Sequence, residues 1–156
     1  MPVLGVNKRA NYDYQITDKY EAGIVLYGHE VKAVKDKHIS LKGAYVSIQK
    51  NAKGNPELYL IKAHISQYKK ASSLEDYDPE RPRKLLLHKN EMKRLIGKKK
   101  EQGLTLVPIK LYTKHSLVKI EFGIGYGKRK YDKRQDIKKR DVDKRIRTLT
   151  KQNIRR

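Results

Sequence analysis

Five histidines, at positions 29, 38, 64, 88 and 115, are the residues of this 156-residue chain best suited to acid–base or metal chemistry. No two stand four residues apart, as the paired ligands of a helical zinc site do, and the chain has no cysteine to supply a thiolate. They read as surface or strand histidines. Nucleophilic chemistry has no better footing, because no serine is framed as Gly-x-Ser-x-Gly. Gly123-Ile124-Gly125-Tyr126-Gly127 has the look of a phosphate loop. It lacks the Walker spacing and the closing Lys-Ser/Thr, so its glycines read instead as letting a last strand bend and leave a barrel. The carboxylates of Glu75-Asp76-Tyr77-Asp78 read as a solvated loop. The expectation is a protein that is not an enzyme, with no cofactor and no metal.

What remains is binding chemistry. Lys and Arg number 38 against 17 Asp and Glu, a formal charge of +21, and such self-repulsion points to a polyanionic partner. Eleven of the twelve aromatic residues are Tyr, and Tyr12, Tyr14, Tyr68, Tyr126 and Tyr131 lie near cations in the sequence, Tyr68 and Tyr131 directly beside one. Rings on a basic surface suit unpaired RNA bases. Most of these tyrosines are expected at the core edge, but Tyr131 sits in a basic tail with no core to join. No run approaches the roughly 20 apolar residues of a spanning helix. The first nine residues lack the apolar core of a secretory signal, and Gly5 is not at the second position that myristoylation requires. A cytoplasmic protein with no membrane partner is expected.

The elements that must position these groups are legible in outline. Residues 128–156 hold 14 basic and 4 acidic residues but only a handful of large apolar ones, so a folded body is expected over 1–127 and a basic tail over 128–156. Six strand-like pieces occur in the body: 14–17, 22–27, 45–48, 58–61, 104–112 and 117–124. Pro108, which cannot donate to a ladder, marks an edge or a bulge. A helix is expected over 88–102, with Met92, Leu95, Ile96 and Lys99 on one face, and a shorter one over 29–37 with Val31 and Val34 inward. Many short strands with a capping helix suggest a small barrel. In the tail, Val142, Ile146 and Leu149 are four and three apart. That spacing reads as a latent helix, marginal alone and ordered on a polyanion, or as a merely sticky tail.

Specific strings then add a resemblance. In order along the chain come Asn7-Lys8-Arg9-Ala10, Tyr20-Glu21-Ala22-Gly23-Ile24, Gly28-His29-Glu30-Val31-Lys32 and Asp78-Pro79-Glu80-Arg81-Pro82-Arg83-Lys84-Leu85-Leu86-Leu87-His88. Gly103-Leu104-Thr105-Leu106-Val107-Pro108 and Gly127-Lys128-Arg129-Lys130-Tyr131-Asp132-Lys133-Arg134 follow. From residue 7 to the tail the chain resembles the bacterial small protein B, or SsrA-binding, family of tmRNA-binding proteins. The resemblance implies a mainly β fold with some α: an oligonucleotide-binding-type antiparallel β-barrel with a few helices and a basic C-terminal tail. It implies an adaptor that binds the tRNA-like domain of tmRNA and delivers it to stalled ribosomes, a monomer in the RNA complex.

By position, Asn7, Glu21, Leu86 and Lys119 correspond to family residues on the tmRNA-contacting surface, and Lys8 and Arg9 join them as phosphate-binding cations. Gly127, Tyr131, Asp132, Lys133 and Arg134 correspond to the tail segment that acts at the small-subunit decoding region and mRNA channel, where the family tail becomes helical. Glu21 either accepts hydrogen bonds from base amines, orients a neighbouring cation, or forms a structural ion pair. Leu86 is flanked by Leu85 and Leu87, so one face of that run must be core. Two points depart from a plain RNA surface: Tyr126 stands where the family commonly has Lys, and His88 is expected to cap the long helix. A ribosomal protein or general RNA chaperone on a similar barrel is the competing reading. A metal-free nuclease would need an acid–base set that the sequence does not show.

Overall fold

The computed structural model describes all residues except 71–74, 101–102 and 155–156, and describes 130–131 by backbone alone. In chain order the elements are β1 (Val3–Val6), α1 (Ala10–Asp13), β2 (Tyr14–Ile24), α2 (Gly28–Lys35), β3 (Ile39–Ser40), β4 (Tyr45–Lys50) and β5 (Pro56–Ile61). There follow β6 (His64–Ile65), β7 (Arg83–Leu86), α3 (Lys89–Lys99), β8 (Leu104–Lys114), β9 (Leu117–Gly127) and α4 (Lys130–Ile154). The main sheet runs β1-β8-β4-β5-β7-β2-β9, and β9 returns to β8, so six strands close into an antiparallel barrel with β1 attached outside the ring. β3 and β6 form a separate two-stranded ladder.

Closure follows from period-2 burial. Leu58 and Leu60 of β5 are fully buried while Glu57 and Tyr59 face outward, and Val118, Ile120 and Phe122 of β9 alternate in the same way. These side chains, with Leu85, Leu106, Leu111 and Ile124, fill the interior. α3 presents Leu95 to that core with Met92 packed beside it, and Ile96 and Lys99 share the half-buried face, as their helical spacing requires. His88 occupies the N-cap position, but its side chain makes no cap hydrogen bond; its backbone carbonyl accepts from Met92 N–H at 2.9 Å instead. The expected side-chain cap is therefore replaced by main-chain geometry. Gln102, the expected end of that helix, lies outside the described residues, and α3 itself ends at Lys99.

Two irregularities shape the ring. The β8–β9 ladder slips between Pro108 and Lys110, which places the proline at a bulge where no ladder donor is needed. The β2–β9 ladder slips between Ile16 and Asp18, leaving Thr17 as the extra residue opposite β9. Gly123 and Gly125 serve this second site by close approach. A Cβ on Gly123 would lie 2.5 Å from Ile16 Cγ2 and 2.9 Å from the Asp18 carbonyl oxygen, and one on Gly125 would lie 3.0 Å from Tyr14 Cβ. The glycines expected to let β9 leave the barrel instead let β2 cross it tightly. β2 and β9 stay paired as far as Tyr14 and Gly127.

α4 is a single 25-residue helix, roughly 37 Å long at 1.5 Å per residue. Ile137, Val142, Ile146, Leu149 and Ile154 are all exposed along it.

Candidate nucleic-acid interface

Register alone brings three separated residues together. Gly23 of β2 pairs with Leu86 of β7 on one side and Lys119 of β9 on the other, and Lys119 pairs in turn with Tyr112 of β8. Directly paired residues point to the same face, so Leu86, Gly23, Lys119 and Tyr112 form one row across four strands on the outside of the barrel. Glu21, two residues before Gly23, lies on that face as well. Gly23 leaves a smooth step between its neighbours, with Leu86 Cβ 3.5 Å and Lys119 Nζ 3.9 Å from where its Cβ would be. The row borders an open groove of about 630 Å³ lined also by Ile24, His88, Glu91 and Leu117. Leu86 and Leu117 are 55% and 62% exposed there, whereas Leu85 is buried in the core. Exposed leucines can pack against unstacked bases by apolar contact, and the lysine beside them can meet a phosphate.

Glu21 is engaged within the protein. Its carboxylate accepts a short hydrogen bond from the Tyr112 hydroxyl and one from Lys114 Nζ at 3.1 Å. These two donors, helped by the charges of Lys114 and Lys119, hold the Glu21 carboxyl below its usual range, and the same bond with burial pushes the Tyr112 phenol up. Of the three roles open to Glu21, the geometry favours ion pairing and the orientation of cations. Lys110 and Lys19 extend the pattern by flanking Glu121 at 3.4 and 3.8 Å.

β7, which carries Leu86, is fixed from beneath. Glu30 of α2 and Arg83 of β7 have no solvent exposure. Glu30 Oε1 accepts from Arg83 Nη2 at 2.9 Å, Arg81 Nε at 2.9 Å and the Tyr77 hydroxyl at 3.1 Å, while Oε2 accepts from Tyr27 N–H at 2.9 Å. Arg83 Nη1 also donates to the Ala63 carbonyl at 2.7 Å, and Arg81 lies 3.9 Å over the Tyr27 ring. Burial pushes the Glu30 carboxyl up, but the hydrogen bonds from Arg81, Tyr27 N–H and Arg83 outweigh it and hold the group at about 2.

Asn7, Lys8 and Arg9 stand apart from this row. Asn7 clasps the Pro108 bulge, its Nδ2 donating to the Pro108 carbonyl at 2.9 Å and its backbone N–H to the Ile109 carbonyl at 2.7 Å. Its Oδ1 accepts from Arg9 N–H at 3.2 Å. Lys8 and Arg9 are exposed beside a second concavity that they share with Ile39, Ser40 and Lys42.

The loop leads into α1, and α1 receives the root of the tail. Lys133 Nζ lies 3.2 Å from Asp13 and 5.6 Å over the Tyr12 ring, and Arg140 lies 5.9 Å over the same ring. Lys128 donates to the Asn11 carbonyl at 2.7 Å and to the Asp136 carboxylate, holding that carboxyl below its usual range. Asp132 is in the first turn of α4, where a negative charge suits the helix dipole. Arg134 is exposed. The Tyr131 side chain lies outside the described residues. Gly127 ends β9 with nothing within 4 Å of where a Cβ would be.

Sequence reasoning missed Gly23 and Tyr112 in the row and Lys114 and Leu117 beside it, because only the pairing of β2, β7, β8 and β9 makes them neighbours. It also missed the Glu30 network. The spacing of Arg81 and Arg83 in the extended segment that enters β7, with both guanidinium groups reaching Glu30, was the signal available for it.

A closed antiparallel barrel whose outer row holds an exposed leucine, a smooth glycine and a lysine, with a basic helix rooted elsewhere, has the build of an RNA-binding barrel protein. The family model "SmpB protein" matches residues 4–152, and the chain belongs to that family. It is 47% identical over 154 residues to the SsrA-binding protein of Thermosipho africanus, covering 98% of this chain and 99% of that one. It is 44% identical over 144 residues to the SsrA-binding protein of Geobacillus kaustophilus, covering 92% and 89%. A solved structure described as "tmRNA-SmpB: a journey to the center of the bacterial ribosome" superposes with a TM-score of 0.65 at 40% identity, covering 88% of this chain and 95% of that one. No helix among the described residues is long and apolar enough to cross a membrane.

Proposed function

We propose that this chain is a non-catalytic adaptor that binds the tRNA-like domain of tmRNA and carries it to stalled ribosomes in the cytoplasm, one copy per RNA. The observation that carries the reading is the separation of two surfaces, a groove bearing Leu86 and Lys119 and a basic helix, in a member of the SmpB family. The Leu86–Gly23–Lys119 row lies on the outer face of β7, β2 and β9, whereas α4 is rooted on α1 through Lys133, Arg140 and Lys128.

The body, residues 1–127, takes the RNA. Leu86 packs on a loop base, Lys119, Lys8 and Arg9 meet phosphates, Glu21 sets the cations, and Asn7 holds the loop that bears Lys8 and Arg9. The tail, residues 128–156, enters the ribosomal mRNA channel. Gly127 is the joint, and Tyr131, Asp132, Lys133 and Arg134 form the segment that acts there. All five large apolar side chains from Ile137 to Ile154 are exposed, so α4 lacks the packing that stabilises helices in water, and it becomes fully ordered on ribosomal RNA.

Binding of an isolated tRNA-like RNA against an unrelated hairpin of equal length tests this against a general RNA chaperone. Strong preference for the tRNA-like fold is expected. Equal affinity for both would favour the chaperone.

A further inference from the structure

Four non-glycine residues among those described have backbone in the left-handed region: Lys37 at φ 63°, Lys62 at 58°, His115 at 49° and Ser116 at 64°. Three of the four line a single open cleft, formed with Lys35, Thr113 and Lys114 and floored by Met1, Pro2 and Leu4, between the end of α2 and the β8–β9 turn. Lys37 takes this conformation in closing α2, where its N–H donates to the Val34 carbonyl and the His38 N–H to the Ala33 carbonyl, so the helix end accounts for it. At His115 and Ser116 a side chain makes the conformation unfavourable, and such positions gather where a ligand needs them. The turn is a two-residue hairpin closed by the Lys114–Leu117 pair, with both central residues at positive φ. That geometry strongly prefers Asn-Gly, yet it holds His-Ser here.

The cleft is also one-signed. Lys35, Lys37, Lys114 and His115 line it and no carboxylate does; Asp36, between the two lysines, is not among its walls. Lys114 is shared with Glu21, but Lys35 and Lys37 have no carboxylate within salt-bridge distance among the described residues. Ser116 lines both this cleft and the groove of Leu86 and Lys119, so the two are separated only by the hairpin tip.

We propose that the cleft seats the phosphate backbone of the same tRNA-like RNA after it has crossed the hairpin tip, with Lys35 and Lys37 pairing with phosphates and His115 and Ser116 donating hydrogen bonds to them. This deepens the function proposed above and rests on it. A backbone lying over the tip is met best by a polar side chain at both apex positions, whereas Asn-Gly carries one at only the first, and this accounts for a turn built against its own preference. Oxygens of consecutive phosphates suit spaced ammonium groups better than a base edge does.

The test uses the full chain and the tRNA-like RNA, with the variants Lys37→Gly, Lys35→Ala and the double His115→Asn/Ser116→Gly, alongside Leu86→Ala as a groove control. Lys37→Gly and the turn variant relieve the backbone, so thermal unfolding should stay level or rise. RNA affinity should fall, by roughly tenfold for Lys35→Ala/Lys37→Gly combined, with the salt slope shallower by about one per lysine removed. Unchanged affinity and slope in the cleft variants, with Leu86→Ala still weakened, would overturn the cleft and leave the adaptor standing. A loss confined to ribosome binding would also overturn it. Failure of the unaltered chain to prefer the RNA would remove the function on which the cleft depends.

Discussion

Glu30 is a carboxylate without solvent contact, kept ionised by the guanidinium groups of Arg81 and Arg83. Its folded value of about 2 lies below the ordinary 4.5, so its contribution is complete above pH 4.5 and disappears as pH falls toward 2. That contribution is about 3 kcal/mol. Urea unfolding between pH 5 and pH 2 should therefore lose stability more steeply in the native chain than in Glu30→Gln; parallel pH profiles would show that Glu30 is not the linked group. Glu30→Ala strands Arg83 and should cost about 3–5 kcal/mol at neutral pH. The exposed Leu86 behaves in the opposite way. Leu86→Ala should leave the melting temperature almost unchanged while weakening tRNA-like RNA by about 1–2 kcal/mol, the scale of burying a half-exposed leucine side chain. An unaltered affinity would remove Leu86 from the interface.

At the scale of elements, β2 and β9 carry the most demanding contact. Gly123→Ala drives a Cβ against Ile16 and the Asp18 carbonyl and should destabilise the fold by about 1–3 kcal/mol. Gly127→Ala meets open space and should leave the body's stability unchanged; denaturant midpoints for the two variants check this contrast. The elements themselves were legible wherever burial is periodic. β4, β5, β8, β9 and the inward face of α3 match their sequence pattern, and Pro108 stands at the bulge expected of it. β2 did not read as one strand, because Asp18, Lys19 and Glu21 lie on its solvent-facing stretch and resemble a loop in composition. β1, β3, β6 and α1 are two to four residues long, too short for any period to show. The interface was legible only as scattered positions. Glu21, Leu86 and Lys119 came from resemblance, and their meeting at Gly23 is a property of register, which composition does not encode.

The whole molecule joins a barrel with a packed interior to a basic helix that packs little against it. Of the +21 formal charge, nearly half belongs to residues 128–156. RNA affinity should accordingly fall steeply with ionic strength, by about 0.7–0.9 log units per phosphate contact for each log unit of salt. Two surfaces on separate elements, one of them the basic helix, allow one RNA to be held while another is probed, which a single continuous patch would not. The most direct test of that division is tRNA-like RNA affinity measured for the chain truncated after Tyr131, with rescue of stalled ribosomes scored on the same preparation. Division of labour predicts affinity within about threefold of the full chain at physiological salt, where distant charges are screened, and no rescue. Loss of RNA binding together with rescue would contradict it.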